Sequence, residues 1–179
     1  MSPIFLIVGA PATGKSTASR ALAAKYPKSI AICVDELRGM VVSGMVNPSP
    51  SWGSALTEQL QLARKSVAEM AKRYHAAGFA VVIDDFYDPY TQLSEYSDLF
   101  GIDEMRRVVL YPEQRKAHAQ NLKRSGPGQT HDYLAGGITF IYSALNDDAI
   151  GLRQRGWYML DTTEDAVEDT VARLQALVS

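Results

Sequence analysis

Apolar residues gather in five short blocks along the chain, at 3–8, 30–34, 79–83, 107–110 and 158–160. Within each block they run on rather than alternate, which predicts strands covered on both faces. The stretches between follow another period. Leu56, Leu60, Ala63, Val67, Met70 and Tyr74 recur at intervals of three and four, one face of a long helix that Gly78 closes. Residues 15–25, 112–122, 138–145 and 164–177 predict further helices. Strand and helix alternate throughout, so the expected class is α/β with a parallel sheet. Two segments fit neither period: 43–54, SGMVNPSPSWGS, and 125–130, SGPGQT. Neither is long enough to link two domains, so one domain over residues 1–179 is expected.

An open parallel sheet binds ligands where its strands end on the carboxyl side. Here those ends carry a glycine-rich segment after Val8, Asp35 after Val34, Asp84-Asp85 after Ile83, Tyr111 after Leu110 and Asp161 after Leu160. Acids at three of five ends make that edge the candidate site.

Composition narrows the function classes. A chain of 179 residues with 46% hydrophobic content can bury a core of its own. Its formal net charge of −2 disfavours a general nucleic-acid coat but leaves room for a local basic site. The pairs Arg64-Lys65, Lys72-Arg73, Arg106-Arg107, Arg115-Lys116 and Lys123-Arg124 read mostly as solvated helix faces. Cys33 is the only cysteine and sits in an apolar run, so it reads as a small buried hydrophobe in a reducing compartment. No apolar run is long enough to span a bilayer, and no basic region precedes the first one. The expected location is the cytoplasm, with no membrane and no obligate protein partner.

The glycine-rich segment, Gly9-Ala10-Pro11-Ala12-Thr13-Gly14-Lys15-Ser16, fits G-x-x-x-x-G-K-[ST] between a strand and a helix. Such a loop turns successive N–H groups toward one point, and the helix dipole behind them adds positive potential for a polyphosphate. Gly9, Ala12, Thr13, Gly14, Lys15, Ser16 and Thr17 are therefore candidate ATP contacts. Lys15 would reach the β- and γ-phosphates, and the Ser16 hydroxyl would ligate Mg²⁺. No N-K-x-D guanine-reading motif is present, and no Glu follows the strand ending in Asp84-Asp85 as in a motor ATPase. A kinase instead needs a base for an acceptor hydroxyl and cations over the transferring phosphoryl group. Asp35 and the basic segment before SGPG supply both.

With GAPATGKST, then VDELR, VVIDDFYDP and NLKRSG at agreeing spacings, residues 4 to about 145 resemble the P-loop kinases that phosphorylate polynucleotide 5′-hydroxyls. The resemblance implies a five-stranded parallel sheet in the order 2-3-1-4-5, helices on both faces, and a mobile lid around 113–136. It implies Asp35 as the general base, Arg38 on the phosphate beside the acceptor sugar and Asp85 on the acceptor side. Arg124 would be the lid arginine on the transferring group. The substrates implied are ATP with Mg²⁺ and a nucleic-acid end. The sequence departs from the family at Gln120, where lids often carry an arginine, and it shows no counterpart of the phosphatase domain that the phage polynucleotide kinase of that family carries.

Several positions admit two readings. Asp35 also suits a helix N-cap, and Arg38 and Arg124 also suit ordinary surface charges. Asp84 is the expected partner of Mg²⁺ from its place at the strand end, whereas the resemblance favours Asp85. Thr163, in LDTTE, lies near the adenine in the resemblance and is equally an N-cap residue. Trp52, Tyr87 and Tyr90 could stack on a nucleobase at the acceptor edge, or belong to core and rim. His75, His118 and His131 lack metal-ligand spacing. The leading expectation is a kinase of a nucleic-acid hydroxyl, most often the 5′ end of DNA or RNA, with a hydroxymethylated base as a variant. A small-molecule kinase acting on a sugar, antibiotic or nucleotide sugar is the second reading. A nucleotide-gated binding module without catalysis is the third.

Overall fold

The structure is a computed structural model that describes residues 2–47 and 53–178. Trp52 and part of the irregular 43–54 segment lie outside the described residues. Five strands form the sheet: β1 (Ile4–Val8), β2 (Ser29–Cys33), β3 (Ala80–Asp84), β4 (Met105–Leu110) and β5 (Trp157–Leu160). All neighbours are parallel and the order is β2-β3-β1-β4-β5, as the resemblance implied.

The unbroken apolar runs follow from burial on two faces. Ile4, Leu6 and Val8 of β1 face one core, and Phe5 and Ile7 face the other. Successive strand side chains point to opposite faces, so a strand covered on both must be apolar at every position. Each such fully buried side chain stabilises the fold by about 1.5–3 kcal/mol. Helices α1 (Lys15–Ala23) and α7 (Val167–Ala176) cover the second face. The first is covered by α3 (Ser54–Ala76), α5 (Gln129–Asp147), α6 (Ala149–Gln154) and a short 3-10 turn at Ser94–Leu99. Of the long-helix stripe, Leu56, Leu60, Ala63 and Val67 are buried, while Tyr74 at the far end is partly exposed.

Three elements are not marked by the hydrophobic pattern: α2 (Val34–Arg38), the 3-10 turn and α6. The first two are too short for a periodic signal. The expected loop 125–130 narrows to the three residues 126–128. Helix α4 (Gln114–Ser125) takes in the first residue of the expected stretch, and α5 begins at Gln129 after the Gly126–Gly128 connection. The expected lid region is thus a pair of packed helices. Asn121, fully buried, pins them together: its amide donates to His131 O at 3.1 Å and accepts from Ser125 Oγ at 3.2 Å. No helix among the described residues is long and apolar enough to cross a membrane.

Candidate active site

The glycine-rich loop leaves β1 at Gly9, whose φ is +157°. A side chain there would place Cβ 2.6 Å from the Leu110 carbonyl oxygen, so only glycine lets the loop pass so close to β4. Ala12 (φ 58°) and Gly14 (φ 87°) take left-handed backbone angles, and Gly14 caps α1. The first-turn N–H groups of α1 have no partners within the helix and converge on the loop. Lys15 folds back over it, its Nζ donating to Ala10 O at 2.8 Å, and Thr13 Oγ1 donates to the same oxygen at 3.0 Å. Ser16 and Thr17 are exposed on the first turn. Burial lowers the Lys15 pKa, and the nearby charges of Asp84, Asp35 and Asp85 work against that shift.

Asp84 ends β3 in register with Ile7 of β1 and Cys33 of β2, beside the loop. It is buried, and its Oδ2 has no hydrogen-bond partner among the described residues. Asp35 stands in the first turn of α2 with its side chain exposed. Arg38, one turn on, is buried rather than an ordinary surface residue. Its guanidinium lies 3.6 Å from Asp35 Oδ1 and donates to Val46 O at 2.9 Å. Gln59 of α3 holds that same segment through Val46 N–H and Gly44 O. Cys33 is only partly buried and lines the same space; burial pushes its thiol up to about 11, so it stays protonated near neutrality.

Asp85 is held differently. Its Oδ2 accepts from Arg64 Nε at 2.8 Å and Tyr96 OH at 3.0 Å, and its Oδ1 from the Phe86 N–H at 2.8 Å. Arg64 also donates to Asp88 Oδ2 at 2.7 Å and lies 3.6 Å from Glu95. Burial opposes the Arg64 charge, but Asp85 and Asp88 outweigh it and raise its pKa. This corrects the expectation for the Arg64-Lys65 pair: Lys65 is exposed and Arg64 is fully buried. The signal was available, because position 64 follows Leu60 by four and lies on the buried stripe of α3. Arg106 and Arg107 are also not freely solvated: Arg106 donates to Leu177 O, and Arg107 stacks 4.7 Å from the Phe100 ring.

These residues meet in a cavity of about 290 Å³. Its floor is the loop with Lys15, Asp84 and Asp35, and Arg38 and Arg124 also line it. Leu56 and Leu60 of α3, Phe86 and Tyr90 after β3, and one face of α5 form its walls. That face, Tyr133, Leu134, Gly137, Phe140 and Ile141, repeats at helical spacing and went unassigned in the sequence. Tyr90 stands at the cavity as expected, but Tyr87 is a core residue with its OH 3.4 Å from Asp148.

A second cavity of about 250 Å³ lies on the other side of the loop. Thr13, Gly14 and Thr17 share it with Lys116, Gln120, Thr162, Asp165 and Val167. Gln120, the departure in the lid, faces this space. Thr162 rather than Thr163 lines it. Thr163 is tied into the connecting turn, its hydroxyl donating to Asp161 Oδ1 at 2.6 Å and accepting from the Glu113 N–H at 2.7 Å. The bonds that Asp161 Oδ1 accepts from the Thr163 hydroxyl and from the Thr163 N–H at 2.9 Å, chiefly, hold its carboxyl below its usual range. Thr163 is not the N-cap of the last helix either, since α7 starts after Ala166.

The sheet order, the loop between β1 and α1 and the paired helices α4 and α5 define a P-loop kinase fold. The AAA domain family (AAA_33) matches residues 4–135, well over half of the chain, and the chain belongs to it. Among solved structures, the Deinococcus radiodurans tunicamycin resistance protein superposes with a TM-score of 0.68 at 19% identity, covering 100% of this chain and 96% of that one. Shikimate kinase from Bacteroides thetaiotaomicron gives 0.60 at 21% identity, covering 98% and 97%. Thymidylate kinase from Candida albicans gives 0.68 at 14% identity, covering 99% and 91%. At these identities the likeness is one of fold. No curated protein matches the sequence.

Proposed function

We propose that this protein is an ATP-dependent kinase that transfers the γ-phosphoryl group to a hydroxyl of a small molecule. The observation that carries the reading is the walled cavity in which Lys15, Asp84 and Asp35 stand around one space beside the phosphate loop. At about 290 Å³ it lies at the low end of the range for small-molecule sites, and α5 roofs it. The names of the neighbours, shikimate kinase and thymidylate kinase, support a compact acceptor.

In this reading the loop N–H groups and Lys15 hold the ATP phosphates, with Gly9, Ala12, Thr13, Gly14, Ser16 and Thr17 shaping the cradle. The second cavity takes the base, with Thr162 in its wall and Thr163 fixing the turn behind. The orphaned Asp84 Oδ2 and the exposed Ser16 hydroxyl fit a magnesium ion bound with the nucleotide. Among the described residues no group of three His, Cys, Asp or Glu side chains is placed to hold a metal ion, so such a cation would be shared by few protein oxygens and the phosphates. That ion would neutralise charge on the phosphate oxygens. Asp35 accepts the proton of the acceptor hydroxyl as its oxygen bonds to the γ-phosphorus. The bond from that phosphorus to the bridging oxygen breaks, and ADP leaves with the electron pair. Arg38 orients Asp35 and the acceptor, and Asp85 acts by holding the floor through Arg64. Arg124, with no ion-pair partner among the described residues, offers its guanidinium to the transferring group.

A second reading, a nucleic-acid 5′-hydroxyl as acceptor, is favoured by the Asp35–Arg38 pair on one short helix. Radiolabelled ATP offered with small alcohols and with a 5′-hydroxyl oligonucleotide separates the two. Label on the oligonucleotide alone would overturn the small-molecule reading, and label on no acceptor together with no binding of magnesium-ATP would overturn the kinase.

Three variants test the roles. Asp35→Asn keeps size but not basicity, so kcat should fall by about 10²–10⁴ while ATP affinity holds. Collapse of ATP affinity would instead make Asp35 part of the nucleotide site. Arg124→Ala should lower kcat more than it raises acceptor KM. Arg124→Lys should recover only part, because a lysine lacks the planar fork. Full recovery by Arg124→Lys would mean that only the charge counts there.

A further inference from the structure

The acceptor half of the cavity is built for an apolar guest. Its walls are Leu60, Phe86, Tyr90, Leu134, Phe140 and Ile141. Excluding Lys15 and Arg124 beside the phosphate loop, the one cation in its lining among the described residues is Arg38. That guanidinium donates to Val46 O at 2.9 Å and lies 3.6 Å from Asp35 Oδ1, while its buried Nε has no hydrogen-bond partner among the described residues. The pair Arg38–Asp35 has no net charge, and Asp85 is balanced by Arg64 behind the wall. An anionic acceptor would have to share the one Arg38 cation with Asp35, and desolvating an unpaired charge against apolar walls is costly.

The rim adds a second feature. The Tyr90 and Phe140 rings stack with centroids 5.7 Å apart and planes 24° from parallel, joining the loop after β3 to α5. Both are well exposed for large aromatic residues, at 63% and 45%. The tyrosine is held from behind. Asp88 Oδ1 accepts from the Tyr90 N–H at 2.9 Å, and Asp88 Oδ2 from buried Arg64. A fixed aromatic pair at the mouth of an uncharged cavity discriminates by shape and polarity.

We infer that the acceptor is a small uncharged alcohol on a ring or other apolar skeleton, and that Tyr90 and Phe140 are its specificity-determining residues. This rests on the kinase reading above. The hydroxyl end lies toward Asp35, and the skeleton lies along α5 and against the aromatic pair.

The test offers the full chain with magnesium and labelled ATP to four kinds of acceptor at equal concentrations. These are benzyl alcohol and cyclohexylmethanol, glucose, gluconate, and a 5′-hydroxyl oligonucleotide. The apolar alcohols should be phosphorylated with kcat/KM about a hundredfold above glucose and gluconate. Phe140→Asp should raise the KM for the apolar alcohol at least tenfold and leave KM for ATP and the melting temperature unchanged. Phe140→Leu, which stays apolar but loses the stack on Tyr90, should raise the acceptor KM by a smaller factor. Preference for glucose, gluconate or the oligonucleotide overturns the inference and leaves the kinase reading standing, as does an unchanged acceptor KM in Phe140→Asp. Transfer to no acceptor overturns the inference, and if magnesium-ATP fails to bind as well, the kinase reading falls with it.

Discussion

Lys15→Ala is expected to lower phosphoryl transfer by about 10²–10³ or more in kcat while leaving the melting temperature near that of the parent. The expectation comes from where the charge sits. Burial lowers the Lys15 pKa, so the fold holds this ammonium in place against its desolvation. Its one hydrogen bond is to Ala10 O in its own loop, and its removal opens no apolar core. Stability therefore has little to lose, whereas a γ-phosphoryl group in the cavity would lose its nearest cation. The same shift gives a pH signature. In the free enzyme Lys15 gives up its proton below the ordinary lysine range, so kcat/KM for ATP should fall on the alkaline side early. Bound phosphates favour the protonated form, so the fall in kcat should come at higher pH. Steady-state rates across pH, with thermal melting of both proteins, check this. Full activity in a folded Lys15→Ala protein would remove the loop from the active site.

Arg64→Ala should destabilise the protein by about 3–5 kcal/mol, because it strands Asp85, Asp88 and Glu95 in the interior without their cation. For a chain of this size that is a fall in Tm of roughly 10 °C. The loss should be greater at neutral pH than in mild acid, where stranded carboxylates take up protons and become neutral. Lys65→Ala, one residue away on the exposed side of α3, should stay within about 0.5 kcal/mol of the parent. Denaturant unfolding of both variants at two pH values measures the difference. Arg64 also sets Asp88 and so the backbone of Tyr90, which ties the stability of α3 to the cavity mouth. If Arg64→Ala unfolds like Lys65→Ala, the buried network is not what holds the loop after β3.

The sheet was legible because its signals are local. Five continuous apolar runs mark strands buried on both faces, and the observed bounds differ from the expected ones by a residue or two, as for β4 at Met105–Leu110. The phosphate loop was legible for the same reason. Its geometry is set within eight adjacent residues, by two glycines that take backbone angles others avoid and by the helix that starts at Lys15. Short elements such as α2 escaped, since five residues hold too few turns to show a period. The wall made by α5 escaped because its cavity face is apolar, and an apolar helix stripe reads the same whether it covers a core or a cavity.

The sequence by itself determined the class of fold, the strand ends that form the site and the loop that would take phosphate. Only tertiary structure separated Asp84 from Asp85. Adjacent residues at a strand end diverge, and which one meets a cation depends on what packs opposite. Here α3 delivers Arg64 to Asp85 across twenty-one positions of sequence, while Asp84 stays beside Lys15 with one oxygen unmatched. It was likewise the docking of α5 over the sheet edge, not any motif, that closed the space above Asp35 and decided how large and how apolar that space is.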